Sequence, residues 1–322
     1  MKTILSGIKP TGKPHIGNYF GAMRQWVDLQ NQNTKGHNYF MIVDYHALNF
    51  IQNGDEMRSL SKEILLDFLA IGLDPEKSTI FKQSDVPEHT ELAWIFDTIT
   101  TLPYLKRAHA YKDIIAKSGE EDISMGTFNY PMLMAADILL YDTDMVPVGQ
   151  DQKQHIEFAR DTAEKFNRIF GKEGREIFKL PEEYILKNVE TVPGIDGRKM
   201  SKSYGNTIPL FAKDEEIEKL VMSIVTDSGE TERPENVYSI HKLFRTEGEL
   251  IKIYEENKGQ YKKLKETLIE DIKNFIRPLR ERRKEISQDN NLISRVLEEG
   301  KQKARAVAGP KMEQVKRAIG VS

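Results

Sequence analysis

Three short apolar runs near the start of the chain, separated by stretches of helical spacing, leave few folds open. The run "TILSGI" (3–8) stops at the Pro/Gly-rich turn "KPTGKP" and reads as a strand entering a loop. In "HIGNYFGAMRQWVDLQ" (15–30), Ile16, Phe20, Met23, Trp26 and Val27 fall on one helical face. "NYFMIVDYHAL" (38–48) is a second strand, "MRSLSKEILLDFLAIGL" (57–73) a helix, and "STIFKQSD" (78–85) a third strand. Strands alternating with helices in this way pair in parallel, because each return to the same end of a sheet needs a helical crossover.

The region 104–128 is polar and reads as helical, with a loop near Gly119, as though inserted into the sheet domain. An apolar helix (130–144), a short strand "MVPVG" (145–149) and a helix opening at 151 with Asp151 as its cap bring the chain back to the sheet. Beyond about Pro209 the pattern gives helices and no strand. The expected fold class is α/β: a Rossmann-like parallel sheet with a helical insertion, plus an all-α C-terminal domain. The boundaries are 1–207, with the insertion at about 104–144, and 208–322.

Net charge is −3 over 322 residues, so the whole chain has no general attraction to nucleic acid. From Asp271 to Ser322, however, 13 Lys and Arg stand against 7 Asp and Glu. A basic tail on an acidic body suits a polyanionic partner, and equally describes solvated helix faces. The chain has no cysteine, which excludes disulfides, cysteine-bound metals and thiol chemistry. The start "MKTILSGIKP" lacks the apolar stretch of a signal peptide, and no apolar run approaches the roughly 20 residues needed to cross a bilayer. A cytoplasmic location without membrane contact is the simplest expectation.

Two segments carry chemistry. "KPTGKPHIGNYFGA" (9–22) lies where the first strand hands over to its helix, the end of a parallel sheet where ligands bind. Gly17 in the first helical turn lets a base or ribose lie against the backbone. The free N–H groups and dipole of a helix start favour phosphate there, with His15 and Asn18 adding side-chain donors. Taken alone, this is also an ordinary strand–helix turn. "GRKMSKSYGN" (197–206) places Lys199 and Lys202 on a loop with no apolar periodicity. Ordering two long side chains costs rotamer entropy, so they are better used where negative charge appears transiently, as on a departing pyrophosphate. Taken alone, it is also a solvated linker.

In this order and on this scaffold, the two segments resemble the HIGH and KMSKS motifs of class I aminoacyl-tRNA synthetases. "SGIKPTGKPHIGNYFGA", "VDYHAL", "YPMLMAADILLYDTDMVPVGQDQKQHIEFARD" and "VPGIDGRKMSKSYGN" look closely like the tryptophanyl members of that family, densely over about 3–207 and more loosely beyond. The resemblance implies ATP, with Mg2+ held mainly by its phosphates, as cofactors. L-tryptophan, ATP and tRNA(Trp) are the implied partners, in a homodimer joined through 104–144. Catalysis falls to Lys199, Lys202, His15 and Asn18. ATP contacts fall to Lys9, Pro10, Thr11, Gly17, Asn18, Gly149, Gln150, Asp151, Val192, Lys199, Met200, Ser201, Lys202 and Ser203.

Tryptophan contacts fall to Leu5, Gly7, His46, Tyr130, Met134, Asp137, Val146, Val148 and Gln152. Asp137 is implied to accept the indole N–H, the single donor of an otherwise apolar ring. Without the family, an aspartate on a helix's wet face is as good a reading. Met134, Val146 and Val148 also fit ordinary core, and His46 and Tyr130 fit buried structural positions. Two positions depart from the family pattern. Lys9 stands where glutamine is frequent, adding charge near the phosphates, and Leu5 stands where an aromatic ring occurs.

The implied reaction is attack of the tryptophan carboxylate on the α-phosphate of ATP, followed by transfer to the tRNA 3′ end. It requires no protein nucleophile, only positioning and charge stabilisation. Arg277, Arg280, Arg282, Arg283, Lys284, Lys301, Lys303 and Arg305 are the candidate tRNA surface. Three rivals stand beside this reading. They are a tyrosyl enzyme of the same class, a nucleotidyltransferase that ignores RNA, and a non-catalytic RNA-binding paralogue.

Overall fold

The computed structural model describes residues 1–109, 111–112, 115, 123–149, 152–171, 176–185, 192–226 and 233–321. Five parallel strands, β1 (Thr3–Ile8), β2 (His37–Ile42), β3 (Thr79–Lys82), β4 (Met145–Val148) and β5 (Glu182–Ile185), form one sheet in the order β3-β2-β1-β4-β5. β1 is central. The chain winds away from it to β2 and β3 on one side and later to β4 and β5 on the other. The crevice at the carboxyl ends of β1 and β4 is therefore the topological switch point, where a parallel sheet opens to a ligand.

The first crossover is a helix of three parts. Ile16–Asn18 opens it, the backbone widens into a π turn over Tyr19–Met23, and Arg24–Gln32 completes it. Ile16, Met23 and Trp26 face the core as their spacing predicts. Helix Gly54–Ile71 is capped by Asn53, whose side chain accepts from the N–H groups of Asp55 and Glu56.

The expected strand 38–48 ends at Ile42, and Asp44–Ala47 forms a helical turn instead. The buried Asp44 carboxylate causes this. It accepts from the Ser84 hydroxyl at 2.5 Å and from the N–H groups of Ser84 and Tyr45, a local alternative to the strand ladder. β3 likewise stops at Lys82. The expected helix 130–144 runs from Met125 to Leu139, capped by Ser124, and the helix expected from 151 begins at Lys153.

The boundary at 207/208 does not divide the core. Ile208, Leu210, Ile217, Val237, Leu268 and Ile272 pack in one apolar cluster with Ile16, Met23, Trp26, Phe40 and Phe68. The last helix, Asn290–Ile319, returns across β3. A Cβ on Gly300 would stand 1.8 Å from the Ile80 carbonyl oxygen, so only glycine allows this approach. Among the described residues no helix is long and apolar enough to cross a membrane.

Candidate active site

β1 leads into the turn Lys9–Gly12, where Gly12 adopts φ +106°, a conformation that L side chains rarely take. That turn aims two carbonyls at the basic loop. Lys202 Nζ donates to Gly12 O at 2.7 Å and lies 3.4 Å from Thr11 O. Lys202 as a whole is exposed, yet packing around its ammonium lowers its pKa, with Asp67 pulling the other way. The loop is anchored on both sides. Ile16 N–H donates to Ile208 O and Leu210 N–H to Pro14 O, while Met200 N–H donates to Val192 O. Met200 and Val192 are buried, and Met200 Sδ lies 3.4 Å from where a Gly17 Cβ would stand.

Within the loop, Asn206 is the organiser that sequence reasoning missed. Its side chain accepts from Ser201 N–H at 2.8 Å and donates to the Asp196 carboxylate and the Lys199 carbonyl. Ser201 and Ser203 pair through their hydroxyls at 2.9 Å. Lys199 is exposed, its backbone bridged to Pro193. The structure thus sets Lys202, and not Lys199, on the Thr11–Gly12 turn.

His15 caps the first helix rather than pointing freely into the cleft. Its Nδ1 accepts from Asn18 N–H at 3.3 Å, and Asn18 Oδ1 accepts from His15 N–H at 3.0 Å. Burial, and then the Lys202 ammonium, lower the His15 pKa to about 4. The ring is therefore neutral near pH 7, as an Nδ1 acceptor must be.

Asp137 is buried, at 3 % exposure. Its carboxylate accepts from Gln83 Nε2 at 2.8 and 2.9 Å, from His89 Nδ1 at 2.6 Å and from His46 Nε2 at 3.0 Å. Burial alone would raise its pKa. The hydrogen bonds from His46 and His89 and their charges overcome this and hold it at about 2. These contacts use about all four lone-pair sites of a carboxylate, so an indole N–H reaching Asp137 must take the place of one donor. His89 Nε2 in turn meets the Tyr141 hydroxyl at 2.9 Å. Gln83 and His89 carry no periodicity or motif signal in the sequence.

Leu5 and Val146 lie in the packed core with Met41 and Met132, while Met134 and Val148 pack on its margin, half-buried. Gly7 is exposed on the central strand, where a Cβ would approach Met41 O at 2.9 Å. Lys9 Nζ lies 5.0 Å from the Phe50 ring centre and 5.7 Å from that of Tyr130, and burial lowers its pKa. The Tyr130 hydroxyl pairs with His155 Nε2 at 2.7 Å, and His155 Nδ1 with Gln152 Oε1 at 2.8 Å. Pro10 is buried beneath the turn, and Thr11 N–H closes it on Lys9 O. Gly149 is half-buried after β4, whereas Gln150 and Asp151 lie outside the described residues.

The candidate tRNA surface is largely tied to the body of the protein. Arg280 donates to Ala212 O and Asp214, each at 2.6 Å, and Arg277 pairs with Asp214 at 3.6 Å. Arg283 holds Asp67 and Glu63, each at 2.5 Å, and Arg305 lies 3.7 Å from Glu88. Arg282 and Lys284 are exposed and form no ion pair among the described residues.

Residues 1–300 match the family described as tRNA synthetases class I (W and Y). The chain is 45% identical to a tryptophan–tRNA ligase of Fusobacterium nucleatum over 100% of this chain and 98% of that one. It resembles the crystal structure of tryptophanyl-tRNA synthetase from Campylobacter jejuni complexed with ADP and tryptophan, with TM-score 0.88, 41% identity and 99% of each chain covered. The structure of the Mycoplasma pneumoniae tryptophanyl-tRNA synthetase superposes with TM-score 0.86 at 29% identity, covering 100% of this chain and 98% of that one. A sheet opening at its switch point, a lysine loop set on the first turn and whole-length kinship agree: the chain belongs to the class I tRNA synthetases of the tryptophan and tyrosine type and, within them, to the tryptophan–tRNA ligases.

Proposed function

We propose that this chain activates L-tryptophan with ATP and transfers it to tRNA(Trp). The observation that carries the reading is the contact of Lys202 with the Gly12 carbonyl across 190 positions of sequence. It brings the Lys202 ammonium against the turn that this reading assigns to the phosphates. In the first step a tryptophan carboxylate oxygen bonds to the α-phosphorus, the bond to the bridging oxygen breaks, and its electrons leave with pyrophosphate. Lys202, with Lys199 free to follow, offsets the charge that builds on the leaving group. At the helix start the N–H groups of Ile16 and Asn18 are already bonded to Ile208 O and His15 Nδ1, so in this reading the Gly17 N–H between them faces the triphosphate while neutral His15 holds that start in shape. In the second step the terminal ribose hydroxyl of the tRNA takes the acyl group and AMP leaves.

No three His, Asp or Glu side chains gather as a metal site among the described residues. The groups around the turn are lysines, amides and hydroxyls, which suit phosphate oxygens better than a cation. Mg2+ therefore fits here as an ion carried by the phosphates of ATP, with water completing its shell. Leu102, just before the region 104–144, and Met125, within it, are both strongly exposed apolar residues and support the reading of this region as a homodimer contact. A cytoplasmic location accords with the same reading.

Amino-acid-dependent ATP–pyrophosphate exchange, run with tryptophan and tyrosine in parallel and followed by charging of tRNA(Trp), tests the reading. Exchange and charging with tryptophan are expected. Exchange driven by tyrosine instead, or none with either, would overturn it.

A further inference from the structure

We propose that Arg280, on helix Tyr261–Gln288, is a positioning residue for Lys202: its clamp on Ala212 and Asp214 fixes the arm by which the basic loop leaves the first turn, and through that arm the place of the lysine. The role depends on the tryptophan-activation reading above and falls to a residue outside both motifs.

The basic loop and the first turn meet twice. At the loop tip Lys202 Nζ reaches Gly12 O at 2.7 Å. On its way out the chain pairs with the same stretch again. Ile16 N–H donates to Ile208 O at 3.0 Å and Leu210 N–H to Pro14 O at 2.9 Å, around a single antiparallel bridge between His15 and Pro209. Strand pairing this short is not self-supporting, since even a whole isolated hairpin is marginal in water. The far end of the arm therefore decides whether it stays in place.

That end is gripped by one guanidinium. Ala212 N–H turns back onto Pro209 O at 3.2 Å. Arg280 then donates from one terminal nitrogen to Ala212 O and from the other to Asp214 Oδ1, each at 2.6 Å. Arg277, one turn earlier on the same helix, adds a second cation 3.6 Å from the other Asp214 oxygen. The hydrogen bond from Arg280, and then the nearby positive charges, hold the Asp214 carboxyl below the usual carboxylate range, so the clamp stays ionised. A rigid fork meets two acceptors at once, which the point charge of a lysine does not. With both terminal nitrogens engaged, Arg280 serves the support of the loop rather than an RNA surface.

Opening the clamp frees the arm to drift from Pro14–Ile16, and the backbone that carries Lys202 drifts with it. The loss then falls on the step in which the ammonium meets departing charge, where a misplacement of about 1 Å can cost about 100-fold. His15 reports the same displacement, because the Lys202 ammonium adds to burial in lowering its pKa to about 4.

Arg280→Met keeps an apolar stem and removes the fork. In the full-length protein, tryptophan-dependent ATP–pyrophosphate exchange should fall by about tenfold or more, with the tryptophan dissociation constant within about twofold of wild type. NMR titration should place the His15 pKa above its wild-type value. In a Lys202→Ala background the same substitution should change exchange by less than about twofold, because Arg280 acts through the lysine. Should Arg280→Met prove poorly folded, Asp214→Asn opens the clamp from the other side and serves in each comparison. An equal loss of exchange in both backgrounds, exchange at the wild-type rate, or a His15 titration that does not move would overturn the proposal. Wild-type protein that shows no tryptophan-dependent exchange would instead overturn the reading beneath it.

Discussion

Lys202 and Gly12 stand 190 positions apart, yet the lysine ammonium rests 2.7 Å from the glycine carbonyl. This contact holds the basic loop against the first turn of the sheet domain in a geometry that a phosphate can replace. The carbonyl is a weak partner for a cation compared with a triphosphate, so ligand binding would draw Lys202 off the turn at little cost. The anchors at Ile208, Leu210 and Val192 confine that movement to the loop tip.

His15 should titrate well below an ordinary histidine. In NMR titration of labelled protein its pKa is expected near about 4, and Lys202→Ala should raise it by removing a nearby positive charge. The folded pKa lies below the unfolded value of 6.5, so the folded state binds fewer protons. The stability contribution is complete above that value and is lost as pH falls toward about 4. A His15 pKa at the ordinary value would contradict the buried, neutral cap.

Asp137→Ala should damage both recognition and stability. It leaves the donors of His46, Gln83 and His89 buried without their acceptor, with a loss of about 3–5 kcal/mol expected in denaturant unfolding. Tryptophan affinity should fall more than ATP affinity. The ionised carboxylate also predicts acid sensitivity: with the folded pKa near about 2 against an unfolded 3.8, the stabilisation persists above the higher value and fades as pH falls toward the lower. Unchanged preference for tryptophan over tyrosine would remove Asp137 from the pocket.

Gly300→Ala should cost about 2 kcal/mol or more, because the added methyl meets the Ile80 carbonyl and the last helix must shift from β3. Thermal unfolding measures it directly. A neutral result would show that the helix does not sit on the strand as described.

The basic residues of helix Tyr261–Gln288 should divide by their partners. Arg283→Ala leaves Asp67 buried without its cation, with a loss of about 3 kcal/mol expected. The double variant Arg282→Ala with Lys284→Ala should leave melting unchanged. It should weaken RNA binding, lowering the slope of log affinity against log salt by about one for each phosphate no longer neutralised. A melting loss in the double variant equal to that of Arg283→Ala would contradict this division.

The parallel sheet was legible because β1 to β4 are mostly apolar runs, buried through their middles and bounded by turn residues. β5 was not, since "EEYI" at a sheet edge is polar, and no element was read at helix Glu88–Ile99, whose residues lie between two strong signals. The strand expected to run on to 48 stopped early because Asp44 found partners at Ser84, forty residues away. The motifs pointed to the Thr11–Gly12 turn and the Lys202 loop, which the structure brings together, because glycine and lysine at such spacing have few other uses. They could not expose Gln83 and His89, which reach Asp137 from 54 and 48 positions away with no local pattern. The arginine run was visible as charge, but its pairing with Asp67, 216 positions earlier, was not. A long side chain's partner is set by packing, and sequence spacing does not carry it.

The most direct measurement sets two quantities of Lys202→Ala against wild type: the rate of tryptophan-dependent ATP–pyrophosphate exchange and the dissociation constant for tryptophan. Exchange should fall by about 100-fold or more while tryptophan affinity stays within about twofold, because the ammonium acts on charge that develops only as pyrophosphate departs. Equal losses in both, or exchange at the wild-type rate, would contradict the account.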